Sequence, residues 1–244
     1  MKKSILTAYV FMFCLLLPAV SAEDNAGRIV GQADKNFSNG SFIFYTDFIV
    51  CRPGEKDINY SMKNYIKGKD KMLIIFTAPP RVQDQALLRK GDDQWIYFPD
   101  IKKTMKISGR QQLLGSDFLY GDILSLDLSN GYKASIVDDT AEVNGDICYK
   151  INLSSTSLTA LYDKVTYYIR KDDYAPIKRE FYTKSGIKLK TLILNNHDID
   201  HIPRRWEMFS ALQKGSSTIM LIKSIKKKDI PDNYFSLEYL RRGR

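Results

Sequence analysis

The densest grouping of chemically versatile side chains is His197-Asp198-Ile199-Asp200-His201. On a helix the two imidazoles would stand one turn apart and could share a metal ion. In an extended chain they share a face but lie about 13 Å apart at ~3.3 Å per residue, too far for one ion. The run follows a strand-like stretch and precedes Pro203, which favours extended or loop backbone, so a polar loop is the better reading. The Asp pairs at 92–93, 138–139 and 172–173 fall at expected hairpin tips. There Asp caps turn amides rather than serving as an acid/base pair. No G-x-S-x-G turn, phosphate-binding glycine loop or H-E-x-x-H occurs, so the expectation is a protein without catalytic step, cofactor or metal. Of three cysteines, Cys14 sits in an apolar leader, leaving Cys51 and Cys148. With two histidines they cannot build a thiolate-rich metal site. They are either bridged, as an oxidising compartment permits, or buried separately as small apolar groups.

The compartment is suggested by residues 1–22. Met1-Lys2-Lys3 is a basic start, Ile5 to Leu17 an apolar run, and Ala19-Val20-Ser21-Ala22 a small-x-small site before Glu23-Asp24. This is the layout of a secretory signal peptide. Eight residues separate Cys14 from Glu23, a poor arrangement for lipidation. The expected mature chain, residues 23–244, is a single domain exported to the periplasm. No apolar stretch reaches the ~18 residues of a spanning helix. At 44% hydrophobic and 27% charged the composition is globular, which excludes disorder, collagen and coiled coil. The net charge of +9 gathers in Lys102-Lys103-Lys106, Lys226-Lys227-Lys228 and Arg241-Arg242-Arg244. An exported protein seldom meets nucleic acid. The positive face is therefore either a solvated surface or a peripheral, transient contact with anionic membrane.

These side chains must be carried by some frame. From Asp24 to Asn36, the apolar residues Ile29, Val30 and Ala33, with Phe37 beyond, have helical spacing. Beyond Gly40 the texture changes to runs rich in Val, Ile, Tyr, Phe and Thr, recurring at about ten residues between Gly, Asp, Asn and Pro. Strands are expected at Ser41–Val50, Ile58–Lys67, Lys71–Thr77, Gln94–Phe98 and Lys102–Ile107. A second group is expected at Tyr132–Val137, Asp146–Ser154, Lys164–Arg170, Ile177–Thr183, Ile187–Asn195, Arg204–Ser210 and Ser217–Ile225. Alternation such as Lys164-Val165-Thr166-Tyr167 indicates antiparallel strands. Asn144-Gly145 is the strongest hairpin signal. Gly109–Leu126 loses the strand period and reads as a loop with one or two short helices. A single large curved antiparallel sheet follows.

The concave face of such a sheet must be covered or occupied, and the chain offers only the N-terminal helix and the insert as covers. Yet it holds 12 Phe and 15 Tyr, many on strands. Each alone reads as core, but together they point to a hydrophobic groove able to hold an acyl chain. The candidates are Phe76, Trp95, Tyr97 and Phe98 on the strands, with Leu113, Leu114, Phe118, Leu119 and Tyr120 in the insert. Both parities of Gln94–Phe98 are apolar, so which of them lines the groove stays open. Gly109, Gly115 and Gly121 would let the insert hinge as a lid, the alternative being a rigid crossover between two halves of the sheet.

Several segments together carry a resemblance: Asp93-Gln94-Trp95-Ile96-Tyr97-Phe98-Pro99-Asp100-Ile101-Lys102-Lys103-Thr104-Met105-Lys106-Ile107-Ser108, then Leu114-Gly115-Ser116-Asp117-Phe118-Leu119-Tyr120-Gly121-Asp122-Ile123. With Phe76-Thr77-Ala78-Pro79-Pro80-Arg81 before them and the tail from Asp229-Ile230-Pro231 to Leu240, they resemble the outer-membrane lipoprotein-sorting (LolA-like) family, in particular a branch found with RND-type exporters. A departure is Val82-Gln83-Asp84, where the family usually has a small residue and Gly. The resemblance implies an incomplete antiparallel β-barrel plugged by helices. It also implies a periplasmic carrier for the acyl chains of a lipoprotein or lipid, bound for the outer membrane. An accessory module docking on an RND-type exporter or envelope complex is the alternative.

Overall fold

The computed structural model describes residues 22–241, apart from 39, 126, 127, 129, 130, 159, 199 and 200. The expected signal segment therefore lies outside the described residues, except for Ala22. That residue opens helix α1, Ala22–Ser38. The first meander follows as β1 (Ser41–Cys51), β2 (Ile58–Lys67), β3 (Lys71–Ala78), β4 (Ala86–Lys90), β5 (Asp93–Phe98) and β6 (Lys103–Lys106). After the insert and its short helix α2 (Tyr120–Leu124) come β7 (Tyr132–Val143), β8 (Asp146–Ser155), β9 (Lys164–Arg170) and β10 (Pro176–Tyr182). Strands β11 (Lys188–His197), β12 (Pro203–Ser210) and β13 (Ser217–Lys227) complete the second meander, and helix α3 (Leu237–Arg241) closes the chain.

All strands join one 13-stranded sheet in the order β6-β5-β4-β3-β2-β1-β13-β12-β11-β10-β9-β8-β7. Each pairing is antiparallel, and the sheet is not closed: β6 and β7 are its two edges. The curved, mainly β fold expected from the sequence is the one observed. The turns use the residues their backbones demand. Asn144 (φ 54°) and Gly145 (φ 88°) both occupy the left-handed region, as a two-residue turn matched to strand twist requires.

The two faces are covered differently. On one face, residues from strands at both ends of the sheet join a single cluster. It includes Phe44, Phe48, Phe76 and Ile96 from one half, and Ile151, Tyr167, Phe181 and Trp206 from the other. One cluster can touch strands this far apart in the order only on the inside of a curve. Helix α1 contributes Ala26, Ile29, Val30 and Ala33 to it, and the insert contributes Leu113, Phe118, Ile123 and Leu124. The outer face of β2–β5 buries Tyr65, Leu73, Ile75, Leu88 and Tyr97 against Ile230, Phe235 and Leu240 of the C-terminal tail.

This double cover explains the strand that the sequence pattern does not reveal. In β4, Leu87 faces the inner cluster while Ala86 and Leu88 face the outer one, all at most 1% exposed. A strand buried on both faces has no alternation to detect. Strand β7 extends to Val143, past the expected end at Val137, and its register shifts around Asp138. The 138–139 Asp pair therefore lies in an irregular stretch of an edge strand, not at a hairpin tip.

Candidate interior site and its polar fastenings

The expected site residues divide between the two faces. Phe76, Leu113 and Phe118 are buried in the inner cluster, and Phe98, Leu114, Leu119 and Tyr120 pack against it. Trp95 and Tyr97 have the opposite parity and belong to the outer cluster under the C-terminal tail. The parity left open by the sequence is thus resolved: Ile96 and Phe98 face inward. Phe118 is fully buried, with its ring 5.5 Å from that of Phe48. Under α2 lies an apolar cavity of about 40 Å³, bounded by Phe44, Met62, Ile74, Ile123, Trp206 and Met220 among others. Two polar residues reach it, Thr46 and Asn64, and they satisfy each other through an Asn64 Nδ2 to Thr46 Oγ1 bond of 2.9 Å.

Buried charges fasten both covers to the sheet. Asp34 of α1 meets Arg179 of β10 at 3.2 Å, and Arg179 donates to the Tyr167 hydroxyl at 2.7 Å. Burial pushes the Tyr167 phenol well above its ordinary range. Burial works against the Arg179 charge, but Tyr167 and Asp34 together hold it firmly protonated. Lys190 of β11 plays the same part for α2, meeting Asp122 at 2.8 Å and donating to the Asp117 carbonyl at 2.9 Å. Tyr162 donates its hydroxyl to Asp122 at 2.7 Å, and burial raises its phenol strongly. Asp117 in turn pairs with Arg52 at 2.8 Å and accepts from the Thr218 hydroxyl at 2.7 Å.

Sequence reasoning passed over these charges, although a signal was present. Asp34 falls four residues after Val30, on the apolar stripe of α1. Arg179 and Lys190 occupy the inward parity of their strands, alternating with Phe181 and with Leu192 and Leu194. A charge at an apolar parity marks a buried partner.

The insert glycines meet local steric demands. The Gly121 N–H donates to the Gly109 carbonyl at 2.9 Å, and a Cβ at Gly121 would stand 2.9 Å from the Leu161 methyls. These two glycines permit close approach. Gly115 (φ 70°) serves a left-handed turn with Leu114 (φ 48°).

The tempting His-Asp-His run is also accounted for. His197 Nε2 lies 2.8 Å from the Pro176 carbonyl, and His201 Nδ1 lies 3.0 Å from Asp173, while Ile199 and Asp200 fall outside the described residues. Among the described residues no group of three or more His, Cys, Asp and Glu side chains could hold a metal ion. Cys51 and Cys148 are both free thiols, on strands separated in the sheet by β13, β12, β11, β10 and β9. Cys148 is fully buried, which pushes its thiol up to about 11. No described helix is long and apolar enough to cross a membrane.

An open antiparallel half-barrel with helices seated in its curve defines a class of fold, and known proteins share it. A family model described as that of an uncharacterized protein matches residues 68–242. A LolA superfamily protein from Nitrosomonas europaea is 26% identical, with 88% of this chain and 98% of that one covered at a TM-score of 0.79. A domain described as an outer membrane lipoprotein-sorting protein from Vibrio parahaemolyticus is 24% identical, with coverage of 90% and 100% and a TM-score of 0.79. A DUF1329 family protein from Desulfovibrio piger is 22% identical, with coverage of 91% and 100% and a TM-score of 0.82. None of the curated proteins compared with the chain matches it. The chain belongs to the family that the matching model describes, and it shares the half-barrel fold of the LolA superfamily protein.

Proposed function

We propose that this protein is a periplasmic carrier of the acyl chains of a lipoprotein or lipid, exported by a signal peptide over residues 1–22 and without a catalytic step. The observation that supports this reading is the apolar interior itself. It is covered by α1 and by the insert, which are held down by side-chain charges rather than by strand pairing. The cavity of about 40 Å³ is too small for a long acyl chain, so cargo enters by displacing the insert or α1 into solvent. Each methylene then buried contributes ~0.8 kcal/mol, and a long chain offsets the exposure of Leu113, Phe118, Ile123 and Leu124. Native mass spectrometry of protein purified from its own envelope tests the reading. Bound lipid or acylated protein is the expected result, and a ligand-free mass with no uptake of added fatty acid defeats it. N-terminal sequencing of the exported form should begin near Glu23.

The smallness of that cavity favours a second reading, a rigid accessory module docking on an RND-type exporter or other envelope complex. A protein that takes up no acyl chain but co-purifies with an exporter after crosslinking would establish it in place of the carrier.

A further inference from the structure

Three of the most exposed large apolar side chains sit on three neighbouring connections at one end of the second meander. Leu158 is 96% exposed in the β8–β9 loop, Ile187 58% in the β10–β11 turn and Leu212 72% in the β12–β13 turn. Hydrogen bonds join these connections side by side. The Lys184 N–H donates to Asp163 at 2.9 Å, tying β10–β11 to β8–β9, and the Ala211 N–H donates to the Leu189 carbonyl at 2.9 Å, tying β12–β13 to the start of β11. With strands spaced by about 4.8 Å, successive tips stand about 10 Å apart. The backbones that carry them are held in place. The Thr183 N–H donates to the Ile187 carbonyl at 3.0 Å, the Ser216 N–H to the Gln213 carbonyl at 3.1 Å, and Arg110 donates to the Leu158 and Ala160 carbonyls. Each tip also has cations beside it: Arg110 near Leu158, Lys184 and Lys188 around Ile187, and Lys214 after Leu212. The acids among them are Asp163 and Glu180, the latter meeting Lys188 at 2.8 Å. The row stops at the β1–β2 turn, where Pro53 lies against Gly215 and the exposed residues are Glu55, Lys56 and Asp57.

A solitary exposed leucine needs no explanation, but three on adjoining connections do. The site for a protein partner gathers apolar groups into a continuous core from which charges are depleted. Here the apolar groups stand apart with lysines between them. A lipid surface suits that spacing, because aliphatic tips enter the acyl boundary one by one while each lysine meets an anionic head group. We infer that this row of loops docks the protein on an anionic phospholipid bilayer, inserting Leu158, Ile187 and Leu212 and seating Lys184, Lys188 and Lys214 among the phosphates. The inference stands apart from the carrier reading, since neither the interior cavity nor its covers take part.

The test is co-sedimentation of the full mature chain with vesicles of phosphatidylethanolamine and phosphatidylglycerol, against vesicles of phosphatidylcholine alone. The protein should pellet with the anionic vesicles, bind phosphatidylcholine more weakly, and be released as salt rises. Leu158→Ser, Ile187→Ser and Leu212→Ser combined should weaken anionic-vesicle binding about tenfold or more. Lys184→Gln with Lys214→Gln should also weaken it about tenfold and flatten its salt dependence. All five positions are exposed, so the melting temperature should stay level in both variants. No pelleting of the unmodified protein, or undiminished pelleting of both variants, overturns the inference. So does a chain that ignores the vesicles but crosslinks through these loops to an envelope protein, which identifies a protein partner instead. Fatty-acid uptake measured in parallel keeps the carrier reading separate, because the substitutions leave the interior unchanged.

Discussion

Asp34 and Arg179 meet where water has been displaced by apolar side chains, with 1% and 7% of their side-chain surfaces exposed. Neither charge is stabilising without the other. Asp34→Asn should therefore cost ~3–5 kcal/mol by stranding the Arg179 guanidinium, read as a shifted urea midpoint. A double change to similarly sized apolar residues should recover much of that loss. The pH response follows from two other groups. Burial lowers the His197 pKa, so the folded state prefers the neutral ring. Its stabilising contribution is complete above the unfolded value of ~6.5 and is lost as pH falls from there through the lower folded value. Asp173, held to about 2 by Arg170, stabilises above ~4, and that contribution is lost as pH falls towards 2. Thermal melts should thus decline in two stages on acidification, with His197→Gln flattening the upper stage and Asp173→Asn the lower. The Asp34–Arg179 pairing was not legible in the sequence beforehand. Residue type and parity announce a buried charge at 34, 179 and 190, but partners so far apart in the chain become visible only once α1 is seated in the curve.

The insert between β6 and β7 is fixed at several points rather than loosely laid. Phe118 fills a place beside Phe48, Leu113 donates its N–H to the Phe118 carbonyl at 2.9 Å, and Asp117 is tied to Arg52 and Thr218. Phe118→Ala should cost ~3–5 kcal/mol. Amide exchange should rise first over 109–124, before the strands respond; uniform loosening would show that the insert is not a separate opening unit. The same stretch shows what element-scale reading can reach. Loss of the strand period correctly located a helical insert, since periodicity is a local property. It could not separate a hinge glycine from a close-approach glycine, because that depends on Leu161, a residue from another part of the chain. Strand β4 escaped for a related reason: burial on both faces erased the alternation by which its neighbours were found.

At the scale of the whole molecule, the sheet has an apolar surface on both sides through β2–β5, and the C-terminal tail is what makes the outer one tolerable. Lys67 reaches the Ile230 carbonyl at 2.8 Å and Asp232 at 2.9 Å, pinning the tail at its start. Ending the chain after Lys228 would uncover Tyr65, Leu73, Ile75, Leu88 and Tyr97 together. Such a truncation should bind a hydrophobic dye and aggregate, while one ending after Arg241 should not. The tail was legible in the sequence only as part of a family likeness, because its few apolar residues have no period long enough to show what they cover. The order of the strands has a consequence in time. Every neighbouring pair in the sheet is consecutive in the chain except β1 with β13, where Phe42 lies opposite Lys227. Each meander can therefore zip up from local hairpins. The seam between the halves waits for β13, the last strand, leaving one edge of β1 unpaired until it arrives. Closing that seam is the one strand pairing with a large loop entropy. It is the point at which a helper that shields bare strand edges would matter most to this chain.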